Sequence, residues 1–128
     1  MKGKIFTIDE VNRMLPLVKN IVKDVITAYD RVSGNLTDYE LAKENGATEE
    51  ELDIIDKRIA NSLSKLQPYV DELENLGCTV RDFQYGVIGF YGDWYGQIVY
   101  FCWKDGEELC THYHNIEEDY TKRKPLKI

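Results

Sequence analysis

GVIGFYGDWYGQIVYFCW, residues 86–103, is the stretch on which the fold turns. Valine, isoleucine and aromatic residues crowd it, and glycine interrupts it at positions 86, 89, 92 and 96, with another at 106. Branched and aromatic side chains suit a pleated, half-buried surface, while closely spaced glycines mark turns. Strands are therefore predicted near residues 80–83, 87–91, 97–103 and 109–114. Consecutive and joined by short turns, they pair as an antiparallel β-meander of three to four strands.

Upstream of Gly77 the period changes. Thr7-Ile8-Asp9-Glu10 is a capping box, in which the Thr hydroxyl accepts from the backbone three residues on and the Glu reaches back. The helix it opens carries Val11, Leu15, Val18, Val22, Val25, Tyr29 and Val32 in steps of four and three, one apolar stripe. Pro16 interrupts the stripe and predicts either a kink or a short opening helix followed by a longer one. Ser33-Gly34-Asn35 reads as the end of this helix, and a second box, Thr37-Asp38-Tyr39-Glu40, predicts a short connecting helix before Asn45-Gly46. A third box, Thr48-Glu49-Glu50-Glu51, opens a second long helix with the stripe Leu52, Ile55, Ile59, Leu63, Leu66, Val70 and Leu73. It should bend at Pro68 and stop at Gly77. Two long stripes joined by a short connection pack as an antiparallel pair.

The expected architecture is thus α+β: an N-terminal antiparallel helical hairpin over 1–77, then a small C-terminal antiparallel meander and tail over 78–128. At 128 residues and 43% hydrophobic content the chain supports one modest core, so 1–128 is read as a single domain. No apolar run approaches the ~20 residues of a membrane span, and MKGKIFTIDE lacks the ~7–15-residue apolar stretch of a secretory signal. A cytoplasmic location follows. Cys78, Cys102 and Cys110 are an odd number without the dense spacing of a disulfide-stapled domain, which makes reduced thiols the expectation. A net charge of −7 argues against nucleic acid as partner, because that affinity comes from clustered Lys and Arg.

Within FCWKDGEELCTHYH, residues 101–114, stand two cysteines and both histidines of the chain. Strand alternation would put Cys110, His112 and His114 on one face. Whether Cys102 joins them depends on the turn. A two-residue Asp105-Gly106 loop pairs Cys102 with Leu109 and turns it away from His112. A three-residue Lys104-Asp105-Gly106 loop, with Gly106 left-handed, pairs Cys102 with Glu108 and Tyr100 with Cys110. The apolar pattern favours the longer loop, which sends Val99, Phe101, Trp103, Leu109 and Tyr113 toward the helices together. Cys102, Cys110, His112 and His114 are then the candidate ligands of zinc or another transition metal. Against this, no close Cys-x-x-Cys pair is present, and free cysteines behave as small core hydrophobes. A Cys–His nucleophile would need a lowered thiol pKa and a third, orienting group, and neither is visible, so no catalytic residue is assigned. Trp94 and Tyr95, on the glycine-flanked turn 91–96, are candidate interface residues, the alternative being that Trp94 folds back over the helix ends.

Three features together resemble a bacterial family catalogued as domain of unknown function 2203: FTIDEVNRMLP at 6–16, GVIGF with IVYFCW at 86–90 and 98–103, and YHNIEEDYTKRKPL at 113–126. The resemblance runs nearly the whole chain and implies no reaction. The positions that match are Trp103, His114, Arg123 and Pro125, and the first three become candidate ligand-binding residues. Two positions depart: Gly89 stands before Phe90 where the family usually has aspartate, and Lys122 precedes Arg123 where it usually has glycine. Arg123 could clamp an anion with paired donors, or pair with Glu117, Glu118 or Asp119 and pin the tail, with His114 donating to a backbone carbonyl; the second is favoured.

Three functional readings follow. The leading one is a non-catalytic interaction module that self-associates as a dimer, since the heptad stripes can bury more than one partner helix and a small sheet cover. The others are a metal- or small-anion-binding protein using the Cys/His hairpin, and an enzyme acting on an anionic substrate through His114 and Arg123.

Overall fold

The computed structural model of the chain describes residues 4–127. Helix α1 runs Ile8–Glu44 and α2 Glu49–Leu76. Five strands follow, β1 (Cys78–Asp82), β2 (Val87–Trp94), β3 (Gln97–Lys104), β4 (His112–Asn115) and β5 (Lys124–Pro125), with one 3₁₀ turn at Tyr120–Lys122. They lie in the order β1-β2-β3-β4-β5, each antiparallel to its neighbour. The fold is α+β, a helical hairpin followed by a meander, with a two-residue edge strand beyond the number expected. No helix among the described residues is long and apolar enough to cross a membrane.

Both long helices begin where their capping boxes predict. Thr7 Oγ1 accepts from the Glu10 N–H at 3.2 Å while Glu10 Oε1 accepts from the Thr7 N–H at 2.8 Å. Thr48 and Glu51 repeat the exchange at 3.1 and 2.9 Å. Gly77, at φ +100°, ends α2 in the left-handed conformation that glycine adopts most readily.

The connection differs from expectation. No separate connecting helix forms; residues 33–44 are the last turns of α1, and the box at Thr37 lies inside it. A mid-helix glycine costs only about 1 kcal/mol. Flanking Gly34, Val32 is buried and Asn35 donates to Ser62 Oγ of α2 at 3.3 Å, and these contacts outweigh that cost. Pro16 likewise leaves α1 unbroken. An interior proline costs about 3 kcal/mol. Around it Val11, Leu15, Val18, Ile21 and Val22 are almost wholly buried, enough to hold the helix in one piece.

One face of the sheet packs on the hairpin. Ile88, Phe90, Val99, Phe101 and Trp103 are completely buried and share one core cluster with Val11, Leu15, Val18, Val22, Leu66 and Leu73. Where β2 extends beyond β1, Phe6 takes the neighbouring place: its N–H donates to Tyr91 O at 2.9 Å and its carbonyl accepts from the Asp93 N–H at 3.0 Å. This close approach requires Gly92, since a Cβ there would lie 2.8 Å from Phe6 O, and 2.2 Å from Phe101 Cε2 as well.

Candidate functional site

The β3–β4 connection decides which chemistry the sheet displays. Cys102 pairs with His112, Phe101 with Tyr113 and Tyr100 with His114. Neither short loop occurs. The parity is that of the three-residue loop, but β4 starts later, at His112, and residues 105–111 form a longer connection.

Side-chain and main-chain bonds hold that connection. Trp103 Nε1 donates to Glu107 O at 2.9 Å, and the Lys104 N–H donates to Glu107 Oε1 at 2.9 Å. From α1, Lys19 Nζ donates to Glu108 O at 2.6 Å and Asn12 Oδ1 accepts from the Cys110 N–H at 2.7 Å. Leu109, expected to point inward, is 51% exposed because it belongs to this loop and not to a strand.

The four-residue metal set is not assembled. Cys102, His112 and His114 share the face turned from the helices, but Cys110 precedes β4, escapes its alternation and sits in the core cluster. Among the described residues no group of three or more His, Cys, Asp or Glu side chains stands close enough to hold an ion. Burial also pushes the Cys110 and Cys78 thiols up to about 12 and raises Cys102, so all three stay protonated near neutrality, the form that neither binds metal well nor attacks.

The tail crosses the outer face. Tyr120 donates its hydroxyl to Asp82 Oδ2 at 2.6 Å, at the far edge of the sheet, and the chain then returns so that Lys124 pairs with Tyr113 and Pro125 with His112. Arg123 closes the strap: Nη1 and Nη2 donate to Glu107 Oε1 and Oε2 at 3.0 and 2.7 Å, and its guanidinium also lies against the Cys102 thiol. Desolvation works to raise the Glu107 carboxyl, yet the hydrogen bonds from Arg123 and the Lys104 N–H prevail and hold it below its ordinary value. The carboxylate that Arg123 pairs with is thus Glu107 and not Glu117, Glu118 or Asp119.

Beneath this strap His114 is completely buried. Its Nδ1 lies 2.9 Å from Asn115 O, which makes Nδ1 the protonated nitrogen, while Nε2 has no partner among the described residues. Arg81 stacks on Tyr100 at 4.8 Å, and Tyr100 lies 5.4 Å from the His114 ring, a column along the outer face.

Trp103, a candidate ligand-binding residue, is instead wholly buried on the inner face. The aromatic turn divides. Trp94 is partly buried, edge-on to Phe101 at 6.1 Å, whereas Tyr95 is 81% exposed with a left-handed φ of 53°. Glu107 and Asp82, the two carboxylates that anchor the strap, were not singled out from sequence. For Asp82 a turn signal existed, since Asp82 Oδ1 accepts from the Tyr85 N–H at 2.8 Å in an Asp-led turn. Glu107 gave none.

The family described as an uncharacterized conserved protein, DUF2203, matches residues 4–126, and the chain belongs to it. No curated protein and no solved structure matches the chain.

Proposed function

We propose that the protein is a non-catalytic self-association module in which the upper part of the helical hairpin packs against the same part of a second copy. The supporting observation is an apolar strip that outruns its cover. At the base, Tyr29 stacks on Phe83 at 5.5 Å and Val70 packs against the core. Seven residues beyond Tyr29 on α1 is Leu36, and seven before Val70 on α2 is Leu63, each on the same helix face as its counterpart. Both are 49% exposed. A second hairpin laid over this strip makes a four-helix bundle and continues the surface that the sheet covers below.

Three free, buried thiols suit a reducing compartment, so the cytoplasm is the proposed location. With a net charge of −7, nucleic acid is not a proposed partner. The enzymatic reading fares less well, because His114 is wholly buried and both terminal nitrogens of Arg123 are engaged by Glu107.

Sedimentation equilibrium at tens of micromolar should give a dimer, and Leu36→Lys with Leu63→Lys a folded monomer. A wild-type protein that sediments only as monomer at that concentration overturns the proposal.

A further inference from the structure

The opposite side of the hairpin seam carries a different surface. At about 100° per residue, Arg31 lies about 140° round α1 from Leu36, and Lys65 about 160° round α2 from Leu63. Between Arg31 and Lys65 the two helices leave a hollow of about 180 Å³. It exists because the residues facing each other there, Ala28 and Ser62, are both small and buried. Its floor is polar. Ser62 Oγ donates to Ile59 O at 2.8 Å and accepts from Asn35 Nδ2 at 3.3 Å, so the hydroxyl is held in place where a heptad seam would normally carry an apolar side chain.

The charges at the rim are the decisive feature. Arg31 and Lys65 both line the hollow, and neither has an ion-pair or hydrogen-bond partner among the described residues. In a chain with 23 acidic and 16 basic residues, two cations left unneutralised over one depression are conspicuous. Continuing along the seam, a second depression of about 400 Å³ shares Arg31, Ser62 and Lys65 and adds Arg58 and Asn35. Arg58 reaches Asp38 only at 3.9 Å, between side chains more than half exposed, a pair weak enough to give way to a competing anion. Tyr69 closes the other end, and Asp24 is the one carboxylate on the rim of the smaller hollow.

We infer that this seam groove binds a small soluble anion with two charged groups, phosphate or carboxylate, one held by Arg31 and Lys65 over Ser62 and the other by Arg58. Guanidinium forks match both groups bidentately, and because Arg31, Arg58 and Lys65 are all exposed, their donors are free to turn toward an anion entering from solvent. This site lies on the side of the hairpin away from Leu36 and Leu63, so anion binding and dimerisation stand or fall separately.

Titration of the full chain with inorganic pyrophosphate and, separately, with citrate, followed by amide NMR at constant ionic strength, tests this. Expected are saturable shifts clustered at Ala28, Arg31, Ser62 and Lys65 for at least one of the two anions. The double variant Arg31→Gln, Lys65→Gln should weaken binding by at least about ten-fold, and Asp24→Asn should strengthen it by about three-fold, with the spectrum outside the groove unchanged. Leu36→Lys with Leu63→Lys should leave the affinity as it is. Shifts that fail to saturate by 10 mM anion, taken as about the weakest binding of interest, or saturation that survives the double variant, would overturn the inference.

Discussion

Helix α1 carries one apolar spacing from end to end, but the sheet covers only its lower part. From Val11 to Val32 the stripe is buried, apart from the partly buried Tyr29, and packed between α2 and the inner face of β2 and β3. Past Val32 there is no sheet. Leu36 and Leu41 on α1 and Ile54 on α2 are roughly half exposed or more, and the seam is bridged by the Asn35–Ser62 hydrogen bond. Amphipathic spacing makes a helix able to bury a face; the length of what lies opposite determines how much of it is buried. The lower part is therefore where stability resides, and the upper part is where surface remains for other contacts.

The sharpest way to break this comparison is at Gly92 in the base. An alanine Cβ would meet Phe101 Cε2 at 2.2 Å and Phe6 O at 2.8 Å, so either the ring or the Phe6 bridge must move. Gly92→Ala should cost about 3 kcal/mol or more in urea denaturation, and a loss under 1 kcal/mol would show that the base is looser than described.

Next comes a matched pair on one helix. Leu15→Ala, at a site 1% exposed, should cost about 2–5 kcal/mol, whereas Leu36→Ala should cost well under about 1 kcal/mol when measured at high dilution. Equal losses would abolish the distinction between the two parts.

The strap should give a smaller, pH-dependent effect. Glu107→Gln removes a two-bond contact with Arg123 whose side chains are only 22–24% exposed, an expected cost of about 1–2 kcal/mol at pH 7. Because the folded carboxyl sits below its ordinary 4.5, its contribution is fully present above that value and is lost as pH falls through the folded pKa. The wild-type and variant melting curves should converge as pH falls below 4.5 and through the folded pKa. A difference that persists unchanged into acid would mean Glu107 acts by packing alone.

The smallest effect is expected in the upper part, and it is favourable. Gly34 lies inside α1 and a Cβ there would meet nothing within 4 Å. Gly34→Ala should stabilise the protein by about 0.5–1 kcal/mol through helix propensity, read as a higher melting temperature. A lower one would indicate that the upper helix needs flexibility at that point.

Residues with local consequences could be read directly from the chain. The Thr7 and Thr48 boxes, the stop at Gly77, the stripe on α1 and the inward set of Val99, Phe101 and Trp103 each follow from a spacing of a few residues, because a capping hydrogen bond or a helical or strand period is satisfied within that distance. The continuity of α1 through Pro16 and Gly34 could not be read this way. Local propensity argues for breaks at both, and burial against partners distant in sequence overrides it. The site was equally divided. That Arg123 would meet a carboxylate could be expected, but its partner Glu107 is sixteen residues away in a loop, and only the seven-residue connection that Asn12, Lys19 and Trp103 hold in place brings the two together. That same connection removes Cys110 from the strand alternation, so the fate of the cysteines and histidines was settled by contacts between β3, β4 and α1, interactions that no pattern along a single segment contains.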